Sequence, residues 1–369
     1  MTSFGARGAL PTAALEPAFA AVARQLASTG ASAAVWAVAD AQGIVRAQAF
    51  GRRGDRVTPE TRFMIASITK PMLGAAVMQL ADEGRLDVYR PVHDLLPGFH
   101  PPPAAPGEPG GEAITPWHIL THTSGIPELG AAEMLHDRPS AERILERACT
   151  RRLEFAPGTR YAYVSVSFYV LAELLHRLEG RPYAEVLGRR VFDPLGMAET
   201  GFAVPPQPRA RVHDFGPPAP LNAIYLRLFA RREMPGGGLW SSLSDVVRFG
   251  QAFLADAPSP LLGGPAMALM TSEQTHGIPE GDPPLEPYYA LAWNKSGLRP
   301  ERPGGPGVID HGAATGSCLW VDRDHGFLIC FLMNRWTAGR TWSLPAVRTI
   351  YDALGLPTGA SDATAAGTR

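Results

Sequence analysis

Residues 33–50 read AAVWAVADAQGIVRAQAF, two apolar runs separated by Asp40-Ala41-Gln42-Gly43. Runs rich in β-branched and aromatic residues around a short polar, glycine-bearing link predict two antiparallel strands and a tight turn. The pattern returns near the other end of the chain. There CLWVD (318–322) and FLICFLMN (327–334) flank Arg323-Asp324-His325-Gly326, and YYALAWNK (288–295) reads as a further strand. Between them the apolar spacing turns helical. Leu15, Phe19, Val22 and Leu26 mark a first helix stopped by Gly30, and Leu73, Val77 and Leu80 mark a second from near Ser67 to Gly84. Pro71 is tolerated because it falls in the first turn. Residues 166–179 and 183–192 read as helices, Ser242 with Asp245 as a capped start, and Leu344, Val347, Tyr351 and Leu354 as a closing helix ended by Gly355.

Strands at both ends joined by tight turns cannot be a doubly wound parallel sheet. The expectation is an α/β fold with an antiparallel sheet built from both chain ends, flanked by helices, with an inserted mainly helical region. The sheet region is placed at 1–85 and 286–358, the inserted helical and loop region at 86–285, and a disordered tail at 359–369, in one catalytic domain. HPPPAAPGEPGG (100–111) reads as a surface loop and 203–220 as irregular chain. The terminal helices are expected on one face of the sheet, the inserted region on the other, and the site in the cleft between.

The 369 residues carry a formal net charge of −1, with 45% hydrophobic and 19% charged residues. That is folded-protein composition. The near-neutral balance argues against a nucleic-acid or membrane-surface partner. No run approaches the roughly 18 apolar residues of a membrane span. The opening MTSFGARGALPTAALEP lacks a positive segment followed by an apolar one, so the expected location is the cytoplasm. Cys149, Cys318 and Cys330 sit among apolar residues and read as buried free thiols.

Of 34 basic residues only Lys70 and Lys295 are lysines. A chain that uses arginine almost everywhere keeps a lysine where arginine would fail, and the chief such task is giving up a proton. Lys295, at an expected strand end, is read as incidental. Lys70 stands in Ser67-Ile68-Thr69-Lys70. Three residues apart on a helix, hydroxyl and amine share a face, and a serine nucleophile needs an adjacent base. Ser67 at a helix start also sits among free backbone N–H groups suited to a developing oxyanion.

FMIASITK, followed by EGRLDVYRPVHDLLP, ITPWHILTHTSGIP, FAPGTRYAYVS, FDPLGMAETGF, GGLWSSLSDVVRF and HGAATGS, resembles the serine β-lactamase and penicillin-binding superfamily, on its class C and esterase-like branch. The matches run in order over roughly residues 55–335, which no single motif would achieve. The resemblance implies Ser67 as acylated nucleophile, Lys70 as its proton acceptor and Tyr163 as second base. It also implies His311-Gly312-Ala313 as the third motif and an oxyanion hole from the N–H groups of Ser67 and Ala314. Two departures stand out. Ser165 replaces the usual asparagine and loses a two-donor carboxamide. Ala313 replaces a glycine.

His118 and His122, four apart, would suit one metal ion on a helix, but the glutamate of a zinc-peptidase motif is missing, and no metal or cofactor is expected. Asp94, Asp245 and Asp310 read as caps and surface charges. Tyr161 shares a face with Tyr163 on an extended segment, and spacing from Pro157-Gly158-Thr159 favours Tyr163. There is no Gly-x-Ser-x-Gly elbow. The expected activity is cleavage of a small-molecule ester, or an amide, through an acyl-enzyme on Ser67. Rivals on the same scaffold are a β-lactamase or D-alanyl-D-alanine carboxypeptidase, an acyltransferase, and a non-catalytic binding relative. The presence of Ser67, Lys70 and Tyr163 disfavours the last.

Overall fold

The side chains of β1 (Ala33–Asp40) alternate between two cores. Ala34, Trp36 and Val38 pack under α1 (Thr12–Ser28), against Leu15, Phe19, Val22 and Leu26. Val35, Ala37 and Ala39 join the larger core on the opposite face. Period-two alternation on a strand buried on both sides requires apolar residues throughout, which is why the run contains no charge before Asp40. The computed structural model describes residues 10–51, 56–130, 133, 140–203, 233–254, 259–336 and 339–359. The irregular segment expected at 203–220 and the tail at 359–369 lie outside these residues, apart from Ala203 and Gly359.

β1 pairs antiparallel with β2 (Gly43–Gly51) through the expected turn, and on its other side with β7 (Phe327–Met333). β7 pairs with β6 (Cys318–Asp322), and β6 with β5 (Val308–Gly312), so the order is β2-β1-β7-β6-β5. Both chain ends therefore meet in one antiparallel sheet. The closing helix α9 (Gly339–Ala353) lies beside α1 and buries Val347, Ile350 and Tyr351 in the same core. Tyr351 donates to Asp322 Oδ2 at 2.5 Å and accepts from Trp320 Nε1 at 2.9 Å. These bonds satisfy polar groups that would be costly to bury unpaired.

One strand expectation fails. Residues 288–295 form no strand. Tyr288 and Ala292 take positive φ of 50° and 61°, which folds the segment back so that Ala290 N–H donates to Trp293 C=O at 2.7 Å. It meets the sheet edge through the bridge between Asn294 and Asp310. An all-apolar run has no period with which to distinguish a buried loop from a strand. The edge strand is instead β5, whose sequence VIDHG is short and polar at its centre.

On the opposite face of the sheet α7 (Leu243–Gln251) packs against β1, β6 and β7, and α2 (Thr69–Asp82), α3 (Pro116–Leu120), α4 (Ala141–Thr150), α5 (Phe168–Glu179), α6 (Tyr183–Leu187) and α8 (Gly264–Thr271) build the rest of that core. The expected helix at 183–192 continues from α6 into a π-helical turn at Gly188–Phe192. α2 is buried from Thr69 to Leu80, lysine included. Gly74 makes this possible, since a Cβ there would stand 3.0 Å from Ala292 Cβ. No helix among the described residues is long and apolar enough to cross a membrane.

Candidate active site

Ser67 is the middle residue of a 3-10 turn, Ala66–Ile68, that feeds directly into α2. The second residue of such a turn has no intrahelical acceptor for its N–H. Ala66 holds φ +44°, a conformation L-residues rarely adopt. Neighbours hold it there: Ile65 N–H donates to Leu239 C=O at 2.9 Å and Thr69 Oγ1 donates to Ala66 C=O at 2.6 Å. The first contact extends the two-stranded ribbon of β3 (Phe63–Met64) and β4 (Trp240–Ser241).

Lys70 is fully buried, and its ammonium group faces three oxygens. Ser67 Oγ lies at 3.4 Å, Ser165 Oγ at 3.0 Å and the Gly236 carbonyl at 2.7 Å. The faces of Tyr163 and Phe168 lie 4.7 and 5.3 Å away. Lys70 forms no ion pair with a carboxylate among the described residues. A neutral amine in this place directs two N–H groups at Gly236 and Ser165 and its lone pair at the Ser67 hydroxyl, the arrangement a proton acceptor needs.

Tyr163 is held from below by residues 122–128. Ala162 N–H donates to His122 C=O at 2.9 Å, Val164 N–H to His122 Nδ1 at 3.1 Å, and Ser165 N–H to Glu128 Oε2 at 2.5 Å. Gly125 turns this segment with φ +73°, and a Cβ there would fall 2.2 Å from Phe155 C=O, so only glycine fits. The His122 ring packs on Tyr163 with centroids 4.3 Å apart. Burial, and then the charge of Lys70, holds His122 well below its ordinary pKa. The ring is therefore neutral, with Nδ1 free to accept.

His118 and His122 do not share a helical face, because α3 ends at Leu120 and His122 has φ +59°. His118 Nδ1 instead accepts from Thr115 N–H at 3.1 Å, capping α3, and burial pushes its pKa down to about 4. Tyr161 is buried against His122 and Tyr289, whereas Tyr163 opens to solvent beside Lys70. Asp94 pairs with Arg90 at the surface and Asp245 accepts from Thr200, but Asp310, expected at the surface, is buried in β5.

Two cavities meet at Ser67, Tyr163 and Ala314. One, of about 310 Å³, is apolar, walled by Leu129, Ile144, Val166, Met234 and Trp336, with the exposed Glu128 and the half-buried Ser165 also lining it. The other, of about 350 Å³, is polar, with Glu280, Asn294 and Arg299 around the backbone of Gly312 and Ala313. In the turn after β5 the amides of Ala313 and Gly316 bond to backbone carbonyls, and Ala314 lies on the cavity wall. His311 does not line either cavity. It is fully buried, with Nδ1 near Gly312 C=O at 2.8 Å and Nε2 near the Tyr289 hydroxyl at 3.4 Å. The backbone after it faces the site, and its ring stands behind.

Two neighbours of Lys70 and Ser165 are not visible in the sequence motifs. The Gly236 carbonyl is the closest acceptor of Lys70, and a Cβ at Gly236 would stand 2.9 Å from Ser165 C=O. The run Gly236-Gly237-Gly238 was a signal of close backbone approach. Glu128 carried no such signal. Lys295 is also not incidental. It is buried, donates to the Pro306 carbonyl, and burial pushes its pKa down to about 8, so it ties two loops together. The three cysteines are buried and free, and burial pushes Cys149 up to about 12.

The sequence matches the β-lactamase family over residues 19–346. It is 30% identical to the esterase EstB of Burkholderia gladioli over 84% of this chain and 86% of that protein. Its fold is similar to that of EstCE1, a hydrolase with promiscuous acyltransferase activity, with a TM-score of 0.74 at 20% identity, covering 93% of this chain and 99% of the other. A penicillin-binding protein homologue from Caulobacter crescentus gives the same TM-score at 19% identity, covering 94% and 99%. The ordered motifs, the sheet assembled from both chain ends and the match across most of the sequence agree, and the chain belongs to the β-lactamase family.

Proposed function

We propose that this chain is a serine hydrolase that cleaves small esters, and amides less readily, through an acyl-enzyme on Ser67. The observation that carries the reading is the Lys70 amine, buried and aimed at Ser67 Oγ with its other positions filled by Ser165 and Gly236. Ser67 Oγ attacks the carbonyl carbon while its proton passes to Lys70 Nζ. The oxyanion forms against the N–H groups of Ser67 and Ala314. The C–O bond to the leaving alcohol breaks, and that oxygen takes up the proton. Water then attacks the acyl carbon and gives a proton to the Lys70–Tyr163 side, the bond from that carbon to Ser67 Oγ breaks, Oγ takes up the proton, and the carboxylic acid leaves. EstB, similar over most of both chains, supports the ester reading.

The Ser165 hydroxyl supports it as well. It is engaged with Lys70 at 3.0 Å and is shorter than the carboxamide it replaces, so it offers a substrate amide little. His311, buried behind the site, is not placed to meet a substrate carboxylate. An ester requires neither contact. The expected result is a higher kcat/KM for p-nitrophenyl acetate or butyrate than for a chromogenic cephalosporin. The opposite order would replace the esterase reading by a β-lactamase one. If esters lead, Ser165→Asn should raise cephalosporin acylation relative to ester.

Tyr163→Phe keeps the ring beneath Lys70 and removes only the hydroxyl. A second base acts on the transition state more than on the bound substrate. The variant should lose about 10²-fold in kcat with little change in KM, while Tyr161→Phe should stay near wild type. Steady-state kinetics with p-nitrophenyl butyrate decides, and a loss at Tyr161 instead of Tyr163 would put the base two residues away.

A further inference from the structure

We propose that Glu128 selects substrates that carry an ammonium group close to the scissile carbonyl. The inference rests on Ser67 being the nucleophile of the cleft. The apolar cavity beside Ser67 has Glu128 as its only charged lining side chain among the described residues. The rest of its wall is aliphatic or aromatic apart from the hydroxyls of Ser67, Tyr163, Ser165 and Tyr169. The carboxylate is held in place by two backbone donors. Leu129 N–H reaches Oε1 at 3.0 Å and Ser165 N–H reaches Oε2 at 2.5 Å. A carboxylate has about four lone-pair sites, so each oxygen can still accept a bond from the cavity side.

No cation among the described residues forms an ion pair with Glu128. Lys70 Nζ is engaged instead with Gly236, Ser165 and Ser67. Glu128 is thus a fixed negative charge, exposed to solvent, on the wall of an apolar recess next to Ser67. A neutral group seated there would strip water from the carboxylate and give nothing back. An ammonium would replace that water with a charge-assisted hydrogen bond. Attraction and penalty favour the same ligand, which is how a polar site discriminates most strongly.

A structural role also follows from the Ser165 contact. Glu128 fixes Ser165, and Ser165 touches Lys70. That role would affect every substrate equally, so the readout must be a ratio. Two pairs of esters of nearly equal shape separate the cases. Alanine methyl ester and methyl isobutyrate differ on the acyl side. 2-(Dimethylamino)ethyl acetate and 3-methylbutyl acetate differ on the alcohol side. Rates are measured by pH-stat at about pH 6.5, where an amino group is protonated.

In at least one pair the wild-type enzyme should favour the ammonium member by about tenfold or more in kcat/KM. Glu128→Gln should bring that ratio near one, whatever it does to absolute rates. An intrinsic reactivity difference would survive the substitution and so is not mistaken for recognition. A ratio near one in both pairs, or one unchanged in Glu128→Gln, overturns the proposal. Labelling of Ser67 by a neutral fluorophosphonate is run alongside. Labelling without ammonium preference rejects the Glu128 inference alone. No labelling and no turnover of any ester rejects it together with the Ser67 reading.

Discussion

Ser67→Ala should abolish covalent labelling by a fluorophosphonate and lower ester turnover by as much as about 10⁶-fold, the scale seen when an acylated nucleophile is removed. The physical case is local. The hydroxyl lies within hydrogen-bond distance of Lys70 Nζ and lines both cavities. Its loss removes the oxygen that the proposed acyl-enzyme requires. The fold should survive, because Ile68 and Thr69 carry the packing of the turn and Lys70 keeps Ser165 and Gly236 as acceptors. Intact-mass analysis and a thermal melt check the two halves together. Stoichiometric labelling of a folded Ser67→Ala protein would remove Ser67 from the mechanism.

Lys70→Arg should cost about 10²–10⁴-fold in acylation, the contribution of a positioned base. Guanidinium keeps its proton at any pH at which the protein is folded, so a cation is retained and a proton acceptor is not. Space opposes it as well. The amine fits between the Gly236 carbonyl and the rings of Tyr163 and Phe168, and a planar fork is wider. Lys70→Met, of similar length and without charge, controls for that bulk. Both variants should fold by circular dichroism and fail to form the acyl-enzyme in single-turnover experiments. Near-native turnover in folded Lys70→Arg would show that charge alone suffices.

Much of the architecture was readable because it is written in local periods. The hairpin of β1 and β2, the hairpin of β6 and β7, the amphipathic α1 and the capped start of α7 each repeat apolar residues at their own spacing. Residues 288–295 were misread because burial on every side erases the period, and only the positive φ of Tyr288 and Ala292 reveals the fold-back. β5 escaped for the converse reason, since Asp310 and His311 interrupt its apolar run while being buried.

The sequence by itself determined that an antiparallel sheet is built from both ends. It also singled out Ser67 and Lys70, because helical spacing places them on one face and the scarcity of lysine marks the second. Tertiary structure decided everything that depends on segments far apart in the chain. It brings Ser165 and Gly236, 95 and 166 residues from Lys70, within hydrogen-bond distance of its amine. It sets His122 against Tyr163, buries His311 outside both cavity linings, and puts Glu128 on the wall of one of them. Local spacing fixes which neighbours along one element share a face. Which distant backbone carbonyl or carboxylate fills the space opposite is fixed only when the layers pack, because that choice depends on contacts no single segment contains.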